Sequence, residues 1–503
     1  MARDDKEKVV LKGQAAIDLW LQGRETWNKW VEENPVADVI FIGVDFRTYE
    51  TVSFNGYIFP EGLVDFSNAN FGNGTTSFQR ADFGKGQVSF THASFDKGYV
   101  SFYCAKFGEG EVDFLGVSFG NGDVIFTGAN FGNGNVHFQF ARFGKGKVKF
   151  SGIELKSGYF NISEVKFGDG DLIFSHSSFA SSGVSFARSE FGNGKVDFEK
   201  VLFGSGNVSF AGAIFKNNDL NFSGINVGGN FEFNDISGSS NIKSLTFKFA
   251  TFDGPVNFDR NTFNCVPDVT STKFSHHFSL YNLSVNPKKR SKWKLPHILI
   301  ERAIFFLFLA WFGERKKGLC KVLARKYGIR FEWLIRREAD NVNDVNSLIR
   351  LKELAEANKD HQLALNLHIE EIKCSRWLRT PWYKLIVEFL FQKCSDYGRS
   401  IFRPIIYLFI VCLAFASIYD SASSKKDAWS DALLFSFSQM FSLIPSSKDA
   451  RTESSRELYG TVVDGKVIVD IPNYVFGLAG LQSIASIALV FLVGLALRNR
   501  FRI

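Results

Sequence analysis

Phenylalanine recurs through the first half of this chain on a beat that few folds accommodate. One series occupies positions 71, 83, 95, 107, 119, 131 and 143, passes through Leu155, and resumes at 167, 179, 191, 203 and 215. A second occupies 66, 78, 90, 102, 114, 126, 138 and 150, passes through Ile162, and resumes at 174, 186, 198, 210 and 222. Each series repeats every twelve residues, and the two interleave in steps of five and seven. A small or β-branched residue stands two positions before the second series, as at Val88, Val100 and Val112. Ala usually stands two before the first, as at Ala69, Ala81 and Ala93, and Gly-x-Gly often follows it, as at Gly84/Gly86 and Gly132/Gly134. The steps of two are strand periodicity, whereas steps of five and seven with glycine in each turn contradict a 3.6-residue helix. Self-similarity at so short a period marks a solenoid of very short strands. The glycines read as suppliers of positive-φ turns.

The unit x-V-x-F-x-x-A-x-F-G-x-G resembles the pentapeptide-repeat family. That resemblance implies a right-handed quadrilateral β-helix with a small residue and a central Phe or Leu turned inward every five residues. The five-residue step is kept at Phe66 to Phe71 and Phe126 to Phe131, and the glycine corner lengthens the other step to seven. Two units, 24 residues, per four-sided coil is the expected arrangement; a flattened coil of one unit is the alternative. Inward Phe rings then stack in ladders, each burying roughly 150–250 Å². The regular stretch amounts to about seven coils, a rod of roughly 35 Å at ~4.8 Å per coil. The outward residues show neither the Thr ladder of antifreeze repeats nor the Asp ladder of RTX-type calcium repeats. A plain spacer and a partner-binding rod both remain open.

Composition narrows the partners. Of 503 residues 56 are Phe and 44 Gly, yet the net charge of +7 lies outside the repeats, since acids slightly outnumber bases in residues 39–265. A nucleic-acid surface on the rod is therefore not expected, and its acidity is too mild for DNA mimicry. Cys104, Cys265, Cys320, Cys374, Cys394 and Cys412 lack CxxC or finger spacing and read as free thiols. The first eight residues lead into no apolar run, so no signal peptide is expected.

Solenoids need caps. Residues 14–34 read as one helix with Ile17, Trp20, Leu21, Trp27, Trp30 and Val31 on one side. The stretch GRETWNKWVEENP resembles the G-x-x-x-W-N-x-W helix that precedes such repeats. The period decays after Val227. His276-His277 has no further ligand spacing and reads as surface. A basic linker follows at Lys288-Lys289-Arg290.

The middle of the chain reads as helical. Residues 303–312 are apolar for ten positions, too short to cross about 30 Å of hydrocarbon, and read as an interfacial helix. Residues 345–377 read as a helical hairpin. Val345, Leu348, Leu351, Leu354 and Ala355 form one stripe, Asn358 suits the turn, Asp360 the N-cap, and Ala364, Leu365, His368, Ile369 and Ile372 the facing stripe. It resembles the segment that joins pentapeptide repeats to a membrane domain in bacterial proteins. Glu370 and Glu371 lack a nucleophile or a partner carboxylate and read as a solvated face. Nothing calls for a catalytic residue, a metal or a cofactor, and an enzyme is not expected.

Residues 401–419 and 475–497 are long and apolar enough to cross a membrane. Basic residues crowd before the first (Lys384, Lys393, Arg399, Arg403) and after the second (Arg498, Arg500, Arg502), which places both termini in the cytoplasm. Trp377, Trp382 and Tyr383 suit an interfacial belt. Between the spans, residues 428–447 (AWSDALLFSFSQMFSLIPSS) are too short to cross and too apolar for a free loop, and read as a re-entrant helix. Residues 451–474 read as an external turret with a hairpin turn at Asp464-Gly465. Span, re-entrant helix, loop, span resembles the pore of the tetrameric potassium-channel superfamily, and the ending FLVGLALRNRFRI resembles bacterial pentapeptide-repeat membrane proteins. Ser442-Leu443-Ile444-Pro445-Ser446-Ser447 stands where that superfamily has T-V-G-Y-G, so potassium selectivity does not transfer.

The expected organisation is a capping helix in residues 1–38, a solenoid in 39–286, a helical linker domain in 287–400 and a two-span pore domain in 401–503. The expected function is a homo-oligomeric, tetrameric ion channel of a bacterial inner membrane, gated through a cytoplasmic solenoid that binds a protein or ligand. Ser436, Ser438, Gln439, Ser442, Pro445, Ser446, Gln482 and Ser486 are the expected pore-lining residues, and Gly480 and Gly494 the expected gating hinges. A non-conducting membrane-anchored scaffold and a membrane-depolarising defence effector are the alternatives.

Overall fold

The computed structural model describes residues 8–291, 337–376 and 381–501, apart from positions 340, 342, 424, 426, 427, 443, 464 and 465. The expected interfacial helix at 303–312, Cys320 and Trp377 lie outside them. The chain divides into two compact units, one of Met1–Arg290 with Glu338–Ser375, the other of Ser291–Arg337 with Arg376–Ile503.

The first unit is a parallel β-solenoid. Val64 pairs with Val88 and Val88 with Val112 along a 12-stranded sheet. Thr76 pairs with Val100 and Val100 with Val124 along a nine-stranded one. Isolated bridges Asn70↔Ser94↔Ser118 and Ile58↔Asp82↔Lys106 mark the other two sides. A coil is therefore four-sided and takes two units, because Val88 lies over Val112 and not over Val100. The one-unit coil is excluded. The count of about seven coils proves too low, since the sheet runs from Val10–Lys12 to Phe278–Ser279. That is a rod of about 50 Å at ~4.8 Å per coil. Beyond the regular motif the coil persists while its length varies: Val208 pairs with Phe231, Phe231 with Val256, and Val256 with Phe278.

Phenylalanine holds the coils in register. Phe66, Phe90, Phe114 and Phe138 stack in parallel with centroids 4.9, 5.1 and 4.6 Å apart. Phe78, Phe102, Phe126 and Phe150 stack at 4.9, 4.8 and 4.8 Å. The two ladders meet edge to face, Phe66 to Phe78 at 5.5 Å and 80°. Both arrangements suit the ring quadrupole.

The corners divide their labour differently from the sequence expectation. Positive φ falls mainly between the Phe and the Ala, at Asn68, Arg80 and His92, where Ala69 N–H donates to Phe66 O at 3.1 Å to close the turn. The second glycine of Gly-x-Gly serves another need. A Cβ on Gly110 would lie 2.1 Å from Gly86 O, in the coil below. Glycine stands there for close backbone approach, at negative φ.

The amino-terminal cap is a strand and two helices where one helix was expected. Val10–Lys12 adds an edge strand on Asp38–Ile40. Helix α1 (Gln14–Leu21) and helix α2 (Arg24–Glu33) are separated at Gly23, whose φ of +92° no other residue type holds without strain. Trp20 and Trp27 are buried and donate their indole N–H groups to Ser53 O and Ile58 O at 2.9 and 2.8 Å, whereas Leu21 is exposed.

Helices α3 (Asp344–Ala357) and α4 (His361–Ser375) form the expected hairpin, and the hairpin covers the last coils of the solenoid. Ser347 Oγ donates to Asp268 Oδ1 at 3.3 Å, and Asn358 Nδ2 donates to Phe278 O. Asp360 Oδ1 accepts the Leu363 N–H at 2.9 Å as the N-cap. The buried stripe of α4 is Leu363, Ala364, Leu367 and Ile369. His368 stands half exposed beside Glu371, which also pairs with Lys352 across the hairpin. His276 and His277 are both exposed.

In the second unit, helix α5 (Trp382–Ser395) leads to helix α6 (Phe402–Ala422). Helices α7 (Trp429–Met440) and α8 (Ser447–Tyr459) follow, then an antiparallel hairpin of Gly460–Val463 with Lys466–Val469, then helix α9 (Asn473–Phe501). The expected turn at Asp464-Gly465 lies outside the described residues. Helices α6 and α9 are long and apolar enough to cross a membrane, and only 22% of the most apolar window of each is buried.

Two measurements test this account. Gly110→Ala should destabilise the solenoid by roughly 1–3 kcal/mol, as overpacking does, while Arg80→Gly should be neutral or stabilising by up to about 1 kcal/mol through relief of left-handed strain. Thermal melts of purified protein by circular dichroism read both. Burial pushes the Cys265 thiol up to about 12. Maleimide labelling at pH 8, followed by mass spectrometry, should therefore be roughly a thousandfold slower at Cys265 in the folded protein than in urea.

Candidate functional site

Helix α7 is short, about 18 Å at 1.5 Å per residue, and its two ends lie at different levels of the second unit. Ala428, Ala432 and Phe435, toward its start, pack with Tyr419 near the end of α6 and with Val475 and Ala479 near the start of α9. Met440, at its end, packs with Leu408, Cys412 and Leu489, midway along α6 and α9. The chain turns there, at residues 441–446, and comes back.

The returning segment is a helix where a loop was expected. Ser447 Oγ, at the start of α8, donates to Phe441 O at 2.9 Å, and Leu458 and Tyr459, at its end, rejoin the cluster around Tyr419. The period was disguised because the buried face of α8 opens with serines, Ser454 and Ser455, ahead of Leu458 and Tyr459. Its other face carries Lys448, Asp449, Thr452, Glu453, Arg456 and Glu457, all exposed. An α-helix uses its own carbonyls, so α8 presents no row of free oxygens like that of an extended filter strand. In the turn that precedes it, Phe441 O accepts the Ile444 N–H at 2.8 Å and Ser442 O accepts the Arg451 guanidinium at 3.4 Å.

A buried polar network ties the elements together. Gln482 on α9 is fully buried and donates through Nε2 to Ser436 O at 3.0 Å and to Ser436 Oγ at 2.7 Å. Its Oε1 accepts the Tyr419 hydroxyl at 2.8 Å. Ser436 Oγ donates onward to Cys412 O at 2.8 Å. Each end of the Gln482 amide is thus satisfied inside one chain, between α6, α7 and α9. Ser483 Oγ adds a bond to Gln439 O at 3.1 Å, and Ser438 Oγ donates to Phe435 O at 2.7 Å.

The ten expected site residues separate into two groups. Ser436, Ser438, Gln439, Gln482 and Ser486 are buried within the chain. Ser442 is half buried, and Pro445, Ser446, Gly480 and Gly494 are exposed. Gly480 and Gly494 have no atom within 4 Å of an added Cβ, so neither is a tight packing point within one chain. Sequence reasoning missed Tyr419 because an aromatic at the end of an apolar run reads first as an interfacial anchor. It missed Arg451 because the segment read as turret. Arg451 Nη2 donates to Ser447 Oγ at 3.1 Å, and its Nε is buried without a hydrogen-bond partner among the described residues. So is Ser486 Oγ.

No family model matches the chain, and neither the curated proteins nor the solved structures hold a match to it.

Because Gln482 closes a network between three helices, its replacement acts first on folding. Gln482→Leu should strand the Tyr419 hydroxyl, remove the donor to Ser436 O and Oγ, and destabilise the second unit by about 1–3 kcal/mol. A lowered midpoint in tryptophan-fluorescence melts of detergent-purified protein is the expected reading, and an unchanged midpoint would contradict the network.

Proposed function

We propose that the chain is a subunit of an oligomeric ion channel of a bacterial inner membrane, with α6 and α9 as its spans and α7, the turn and α8 as a re-entrant pore element. The observation that carries this reading is the charged face of α8. It begins level with the middle of two apolar helices that expose Phe409, Leu413, Ile484 and Phe491. Charged side chains at bilayer depth face water or protein, since hydrocarbon is too costly. Irregular backbone such as this turn persists at that depth only where it is buried in protein or lines a water-filled cavity. An oligomer meets both demands by turning the apolar surfaces to lipid and the α8 faces to a shared aqueous axis. Four copies follow the resemblance to the tetrameric pore-loop plan. Arg399 before α6, Arg403 in its first turn, and Arg498 and Arg500 in the last turn of α9 support cytoplasmic termini under the positive-inside rule.

On this reading Ser442, Pro445 and Ser446 line the narrow part, while Ser436, Gln439, Gln482 and Ser486 position it from behind. The solenoid is the cytoplasmic module to which a protein or small ligand binds, and gating requires that this ligand prefer one pore state.

Current recording from purified protein in planar bilayers, with ion substitution, tests the channel. Ser446→Cys should leave conduction intact and make it sensitive to a water-soluble thiosulfonate reagent. Absence of current across a range of voltage and membrane tension would sink this reading and leave the membrane-anchored scaffold. Growth arrest of the host on overexpression, abolished with conduction, would mark a depolarising effector.

A further inference from the structure

A cavity of about 330 Å³ opens between α8 and the first half of α9. Gln439, Arg451 and Ser483 stand at one end, and Ile471, Val475 and Phe476 at the other. The polar end is the inner one, because Gln439 lies one residue from Met440, which packs midway along α6 and α9. No carboxylate lines the cavity.

The hydroxyls of the lining are already spent. Thr452 Oγ1 donates to Lys448 O at 2.9 Å, Ser455 Oγ to Thr452 O at 2.8 Å, and Ser483 Oγ to Gln439 O at 3.1 Å. Gln439 Oε1 lies 3.4 Å from the same Ser483 hydroxyl, which leaves its amide NH₂ as the free side of the group. Arg451 uses Nη2 on Ser447 Oγ and Ser442 O, at 3.1 and 3.4 Å. Its Nε is buried and unpartnered, and no carboxylate among the described residues lies within ion-pair distance of it. A guanidinium does not shed its proton, so its charge cannot be relieved by neutralisation. A charged N–H that is shielded from water and lacks an acceptor is completed by an anion.

We propose that Arg451 and the Gln439 amide form a binding site for a small monovalent anion of the chloride type at the inner end of this cavity. Lipid phosphate does not suit it, because a headgroup would meet the apolar end first. The site has a consequence that rests on the channel reading: with a ring of such arginines behind the turn, anions permeate in preference to cations.

Two readouts separate the site from the channel. The first is thermal unfolding of the full-length protein in detergent, in sodium chloride against sodium gluconate at equal ionic strength, with sodium phosphate as a third arm. Chloride should raise the melting temperature of the wild type by roughly 2 °C. Arg451→Gln should abolish the difference between salts, while Arg451→Lys, which keeps the charge, should retain part of it. Equal melting in all three salts would overturn the proposal. So would a response to phosphate alone, or loss of the oligomer in Arg451→Gln without any salt response, which would mark Arg451 as a contact between copies. The second readout is the reversal potential across a tenfold sodium chloride gradient. It should lie near the chloride equilibrium potential and move toward the sodium value in Arg451→Gln. A chloride-specific stabilisation lost in Arg451→Gln, with no current from either protein, would uphold the site while the channel reading fails.

Discussion

Backbone hydrogen bonding without bulk water is the constraint on which both halves of this molecule rest. A buried peptide group left unpaired costs free energy on the scale of a lost hydrogen bond, so the chain must find partners for long runs of them. The solenoid does so between coils. Phe66 N–H donates to Ser89 O, Phe90 N–H to Asp113 O and Phe114 N–H to His137 O, each at 2.7 Å. Each coil is the template for the next. This explains why the corner glycines are so strict: the coil below lies where a Cβ would stand.

Side chains then decide which template fits. The stacked rings put identical groups at identical heights, so a slip of one twelve-residue unit would exchange one ladder for the other and break both sheets. The caps end the series chemically. At one end the indoles of Trp20 and Trp27 occupy carbonyls of the first coils. At the other, Ser347 and Asn358 reach the last coils from the helical hairpin. A solenoid so closed at both ends is protected from edge-to-edge pairing with another chain.

In the second unit helices satisfy their own backbones, and the question moves to side chains. Gln482, Ser436 and Tyr419 form a closed set, their side-chain polar atoms answered within the chain. Arg451 does not, and neither does Ser486. One polar network is thus completed between α6, α7 and α9, while Arg451 on α8 keeps a buried Nε without an acceptor among the described residues.

Much of this was legible in the chain because it repeats or alternates. The Phe beat required short strands, a solenoid and inward stacking; the apolar runs required helices α6 and α9; Asp360 was readable as a cap from its place between two stripes. Less was legible where one residue type serves two needs. Glycine at 110 reads as a turn former, yet stands there for contact with a coil 24 residues away. Serines at 454 and 455 read as polar, yet face inward on α8. Gln482 reads as facing a pore, yet bonds within its own chain to partners 46 and 63 positions away, which no local pattern shows. By itself the sequence determined the local periods, and with them the strand and helix types, since those depend on neighbours along the chain. Only the tertiary structure decided the coil size, the docking of the α3–α4 hairpin and the environment of Arg451, because each depends on which distant backbone or side chain arrives at the same place.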